Sequence, residues 1–188
     1  MDNYFKELGL WTMFYRGNGY MSNSVNKSDF YYGAFLTKVL DNGDKPTLIS
    51  KDDGRGIYKL TTNKKDNKDY IVYIKYATNN NKKRTRWAFN YTDNNIDEIK
   101  KYIEDGQNII FAYICAYKNF KNSEVAIAGL KELRKCIDPE CEINTVNRVS
   151  IYKKPHSPVL RMYGTKRADI KNGEDNTVHL KRTRINEL

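Results

Sequence analysis

Two groupings of residues could do chemistry. The first is basic. The loop NNNKKRTRW (79–87) sets Lys82, Lys83, Arg84 and Arg86 beside an aromatic ring, and a second group comprises Lys153 and Lys154 before Pro155, with Lys166 and Arg167 in GTKR. Such side chains neutralise phosphates and release counterions, which makes these eight residues candidates for nucleic-acid contact. The second grouping is a lysine in an apolar run, Lys75 in YIVYIKYAT, with carboxylates in nearby loops: Asp52 and Asp53 in SKDDGRG, and Asp66 and Asp69 just upstream. Glu7 and Glu124 are more distant acids. What Lys75 can do depends on which of these carboxylates reach it.

Other chemistries lack their residues. GxxxxGK[ST], GxGxxG, HExxH and GxSxG are absent, and RGNGY (16–20) reads as a turn. Cys115, Cys136 and Cys141 are odd in number and form no CxxC pair, so they read as reduced thiols in neither a disulfide framework nor a zinc module. His156 and His179 add no metal set. Cys115 lies inside an apolar strand and reads as structural.

The elements that must position these residues are readable from periodicity. Residues 28–40 predict a helix capped by Ser28 or Asp29, with Phe35, Leu36, Val39 and Leu40 recurring at helical spacing. Short β-rich runs follow at 47–49, 56–62, 70–78 and 87–91, an antiparallel, hairpin-like stretch. Within it Trp87 begins a Trp-x-Phe-x-Tyr alternation, which makes its ring a core residue. Residues 95–104 form an amphipathic helix with Ile96, Ile99 and Ile103 on one stripe, Asn95 as cap, Glu98 at the capping-box position and Gly106 past the end. The nearly all-apolar run 108–117 suits a strand buried on both faces. A strand at 123–128, a short helix at 130–137 with Leu130, Leu133 and Ile137 inward, and strands at 148–152 and 160–163 complete the pattern. The last 20 or so residues are polar and read as peripheral.

Composition bounds the class. The chain has 188 residues, 39% hydrophobic and 13% aromatic, enough for a single domain with a real core. Its net charge is +10 at a pI near 9.3, which points to a polyanionic partner. Lysine and asparagine are abundant throughout, but residues 147–188 hold ten basic against four acidic side chains, +6 of the chain's +10. That skew makes them a basic C-terminal extension to a core spanning about 28–137. No apolar run approaches a membrane span and no leader-like segment opens the chain, so the expectation is a soluble cytoplasmic protein with no membrane partner.

The order helix, β-meander, amphipathic helix, buried strand, then strand and helix over about 28–137 resembles the core of the restriction-endonuclease-like nucleases, the PD-(D/E)xK superfamily. The resemblance implies an α/β or α+β domain with a mixed central β-sheet flanked by helices. In that family an Asp and a (D/E)xK triplet on the second and third strands hold Mg²⁺ and a lysine that positions or activates the attacking water. Here Lys75 stands where the family's lysine would stand, whereas Tyr73 occupies the position of the expected acid and IYKL carries no acid in its middle. The resemblance implies Lys75 and Asp53 as catalytic residues, and Asp53 with Asp52 or Asp69 as metal ligands, should the chain be a Mg²⁺-dependent endonuclease acting on DNA ahead of RNA. The missing acid opens an alternative, a non-catalytic binding or inhibitor protein of a phage or host-defence system on the same scaffold. An exposed sheet edge or the aromatic N-terminal segment could support a homodimer.

Overall fold

A computed structural model describes residues 25–52, 54–63, 68–79, 85–137, 139, 147–165, 170–171 and 174–188. The first helix, α1 (Lys27–Asp41), forms because Tyr31, Tyr32, Phe35 and Val39 share one buried stripe. Its cap is Asn26 rather than Ser28 or Asp29. Asp29 instead accepts the Asn26 backbone N–H at 2.6 Å from within the first turn, where a negative charge meets the helix dipole favourably. A turn through Gly43, at φ +83°, leads into the strands.

Strands β1 (Lys45–Lys51), β2 (Gly56–Thr61) and β3 (Asp69–Asn79) form the expected antiparallel meander, with Leu48 opposite Tyr58 and Ile57 opposite Tyr73. The chain then passes through β4 (Arg86–Tyr91) and α2 (Asp93–Glu104) before β5 (Ile109–Tyr117) returns parallel to β3, pairing Lys75 with Tyr113. Antiparallel to the other edge of β5 lies β6 (Glu124–Gly129), giving a five-stranded mixed sheet of order β1-β2-β3-β5-β6. All nine residues of β5 are buried, as its unbroken apolar run requires.

The fourth β-rich run departs from the expected single sheet. β4 pairs with β7 (Asn147–Lys153), and a second, four-stranded sheet runs β11-β8-β7-β4, with β8 as Val159–Gly164 and β11 as Val178–Lys181. The two-residue strands β9 (Ile170–Lys171) and β10 (Glu174–Asp175) pair with each other. Helix α3 (Leu130–Arg134) and a 3-10 turn (Arg184–Glu187) complete an α+β fold of two large sheets, the small β9–β10 ribbon and three helices among the described residues. The polar C-terminal segment is therefore not peripheral throughout: Val178 and Leu180 are buried in the second sheet, and Ile185 is buried against the α1 side of the first.

Strand alternation sorts the core into two layers. Val72, Ile74, Ile110, Ala112 and Ile114 face α1 with Tyr32, Phe35 and Val39. Tyr73, Phe111 and Tyr113 face Trp87, Phe89, Ile99, Val149 and Ile151, so the second sheet and α2 cover the opposite face. Trp87 is 1% exposed and donates its Nε1–H to the Ala116 carbonyl at 2.9 Å, the core role expected of it. Among the described residues no helix is long and apolar enough to cross a membrane.

Candidate functional site

Lys75 lies on the inter-sheet face of β3, in line with Ile71 and Tyr73, and is only 6% exposed. A solvated edge lysine would sit elsewhere. Its ammonium donates to Asn95 Oδ1 at 2.8 Å and to the Gly54 carbonyl at 3.3 Å, and rests 5.0 Å from the Tyr91 ring centre and 5.8 Å from that of Tyr73. Three separate elements meet there: the turn between β1 and β2, the C-terminal half of β3, and the first turn of α2. Burial pulls the Lys75 pKa down to about 8, against Asp52 and Glu98, whose charges raise it.

The turn is built by Asp52. Its Oδ1 accepts the backbone N–H groups of Gly54 and Arg55 at 2.7 and 2.8 Å, a side-chain mimic of a backbone turn. That aims Arg55 at α2. Its Nε and NH2 donate to the two oxygens of Glu98 at 2.6 and 2.9 Å, while NH1 donates to Asp52 Oδ2 at 2.6 Å. One guanidinium thus bridges two carboxylates, Glu98 through a bidentate pair of bonds and Asp52 through one, a fork that a lysine cannot reproduce.

Asn95 is not the helix cap expected of it. Thr92 is the cap, and Asn95 sits at the third helical position, where its Oδ1 accepts the Thr92 backbone N–H at 3.3 Å as well as the lysine. The Tyr91 hydroxyl pairs with that of Tyr113 at 2.7 Å. Tyr73, 1% exposed, lies close enough to feel the charges of Glu98, Arg55 and Asp52, and its buried hydroxyl has no hydrogen-bond partner among the described residues.

The other sequence candidates divide. Asp52 does join Lys75. Asp69 does not: it stands six residues earlier on β3, about 20 Å away at ~3.3 Å per residue, with its carboxylate on Lys59 Nζ (2.7 Å) and Thr61 Oγ1 (2.7 Å). Those bonds hold its carboxyl below the usual range. Glu124 is also taken, bound by Arg182 through two 2.6 Å bonds and by Lys153. Arg86 is exposed, its guanidinium 4.9 Å over the Tyr163 ring centre, and Lys154 is exposed at the turn after β7. Asp53, Lys82, Lys83, Arg84, Lys166, Arg167, Glu7 and Asp66 lie outside the described residues. Arg55 and Glu98 were not expected at the site. The one local signal for Glu98 is its i, i+3 spacing from Asn95, which puts both on one side of α2.

The described carboxylates at this centre are engaged by N–H donors. Both oxygens of Glu98 and both of Asp52 already face N–H donors, and Arg55 supplies the positive charge between them. Among the described residues no three His, Cys, Asp or Glu side chains gather as a metal set. What the cluster does chemically is hold a buried ammonium and a guanidinium in balance with two carboxylates.

Compared with family models, curated proteins and solved structures, the chain matches none of them.

Proposed function

We propose that the chain is a nucleic-acid-binding protein on a restriction-endonuclease-like scaffold whose catalytic centre is closed by ion pairing, so that it holds the polyanion without cutting it. The observation that carries this reading is Arg55 engaging Asp52 and Glu98 together beside Lys75. Its scaffold part draws support from the element order: a helix, an antiparallel meander, an amphipathic helix and a buried strand parallel to the third strand. A water-activating lysine must reach substrate, and this one is buried and committed to Asn95 and Gly54. The binding part draws support from the +10 charge and from exposed Arg86, Lys118, Lys121 and Lys154. DNA stands ahead of RNA on the family resemblance, and an accessory or inhibitor role in host defence fits a closed centre.

A single gel experiment tests it, with labelled duplex DNA, single-stranded DNA and RNA, with Mg²⁺, Mn²⁺ or EDTA, at two salt concentrations. The expected result is a shift that weakens steeply with salt and yields no products in any metal. Metal-dependent cleavage lost in EDTA would overturn the closed centre and restore a nuclease. Absence of any shift at low salt would overturn the nucleic-acid reading.

A further inference from the structure

A cavity of about 310 Å³ opens at the carboxyl end of β5, beside the last residue of β3: Lys118 there donates its backbone N–H to the Asn79 carbonyl at 3.1 Å. Two turns shape it. One follows β5 and supplies Asn119, Lys121 and Asn122; the other leaves the end of β7, where Lys153 is the last strand residue and Pro155 lies in the turn. Tyr117, 6% exposed and with its ring edge-on to Trp87, contributes an aromatic edge, and no acidic residue lines the cavity among the described residues. Thr85, also on the wall, is the residue directly after the basic loop 80–84.

Charge and backbone both single out this place. Lys153 and Arg182 share the one carboxylate of Glu124, which leaves a positive charge in excess behind the wall, and Lys121 adds an exposed ammonium in front. Phe120 (φ 60°), Asn122 (φ 61°) and His156 (φ 56°) are the non-glycine residues with left-handed backbone among the described residues, and all three belong to these two turns. Such conformations cost free energy and concentrate at ligand clamps. The first turn is pinned in its shape by the Ser123 hydroxyl, which accepts the Tyr117 backbone N–H at 3.0 Å.

We propose that this cavity binds one nucleotide unit, its phosphate against Lys121 and Lys153 and its base or sugar against Tyr117 and Pro155. The volume lies at the lower end of small-ligand sites, and the lining offers ammonium groups, two carboxamides and an apolar wall. The inference deepens the nucleic-acid reading by naming a subsite for a phosphorylated nucleotide, supplied either as a free mononucleotide or as a strand terminus.

The test is an NMR titration of the isotope-labelled full chain with dTMP, thymidine and inorganic phosphate. Parallel titrations use octathymidylate with and without a 5′-phosphate. The expected result is that dTMP shifts the amides of residues 117–123, 153, 154, 156 and 157, that thymidine does not, and that Lys121→Gln weakens dTMP binding at least fivefold. Tighter binding of the 5′-phosphorylated oligonucleotide than of its unphosphorylated counterpart, with shifts in both turns, identifies a strand end as the source; equal binding of the two oligonucleotides beside dTMP binding at the turns identifies the free nucleotide. Either supports the subsite. It is overturned if dTMP leaves both turns unmoved, if Lys121→Gln binds like the wild type, or if phosphate alone binds as tightly as dTMP. The two readings fail separately: dTMP binding without any polynucleotide gel shift would remove only the broader one, and a gel shift without dTMP binding only this one.

Discussion

Gly164 of β8 lies directly under the backbone carbonyl of Cys136: a Cβ on Gly164 would fall 2.2 Å from that oxygen and 2.9 Å from the Cys136 Cβ. The contact joins the chain segment after α3 to the second sheet, and neither side is a flexible side chain that could move aside. Gly164→Ala should cost about 3 kcal/mol through forced separation of the two backbones, lowering the thermal midpoint by roughly 6–12 °C for a chain of this size. Gly33 is the internal control, since nothing stands within 4 Å of a Cβ there. Gly33→Ala in the interior of α1 should stabilise by about 0.5–1 kcal/mol. Equal midpoints for the two variants would contradict the close approach.

Removing the guanidinium from the Lys75 cluster leaves the Lys75 ammonium, one positive charge, against the two carboxylates of Asp52 and Glu98. Breaking a fully buried pair costs about 3–5 kcal/mol, and the partial exposure of both carboxylates reduces this to about 2 kcal/mol for Arg55→Met. Adding Glu98→Gln to that variant should recover part of the loss. Urea denaturation of the two single variants and the double variant measures the coupling, and strict additivity would show that the pair does not interact.

Lys75 gives stability a dependence on pH of known sign. Below about pH 8 the ammonium is charged in both the folded and unfolded chain, and the cost of burying it is fully present. Between about 8 and the ordinary value of 10.5 the folded chain has released the proton while the unfolded chain keeps it, so stability rises with pH across that window. Relative to Lys75→Met, the wild type should gain about 3 kcal/mol from pH 7 to pH 10.5. A difference between the two proteins that stays flat over that range would place the ammonium in solvent.

The Tyr91 and Tyr113 hydroxyls, 2.7 Å apart and buried, provide a test of polar satisfaction in the core. Tyr91→Phe should cost about 1–2 kcal/mol because the Tyr113 hydroxyl keeps its desolvation penalty without a partner. Replacing both by Phe should cost less than replacing one. Chemical denaturation of the three variants decides it.

The local part of this fold was readable from periodicity. The Phe35 and Val39 spacing of α1, the apolar run of β5 and the Ile96–Ile99 pair each register within a turn or a few residues, so their elements were legible, although Leu40 of the expected stripe is exposed and Tyr31 and Tyr32 complete the buried side of α1 instead. Helix starts were less so, because Asn26 and Thr92 compete with neighbouring polar residues that can also cap. Partnerships over long separations left no local trace. The alternation from Trp87 to Tyr91 announces a half-buried strand but does not say that Val149 and Ile151, rather than β3, lie beside it. The same holds at the site: Lys75 and Asp52 were visible as types, whereas Arg55 and Glu98 meet across 43 positions and are matched only by the folded backbone.

That long-range pairing carries a consequence for synthesis. Trp87 lies opposite Ile151, 64 residues downstream, whereas the first sheet needs nothing beyond β6 to complete its strand order. A ribosome adding ~5–20 residues per second leaves the Trp87, Phe89 and Tyr91 ridge without its strand neighbour for roughly 3–13 s. During that interval the nascent chain presents an aromatic ladder with open backbone groups, an edge open to mispairing.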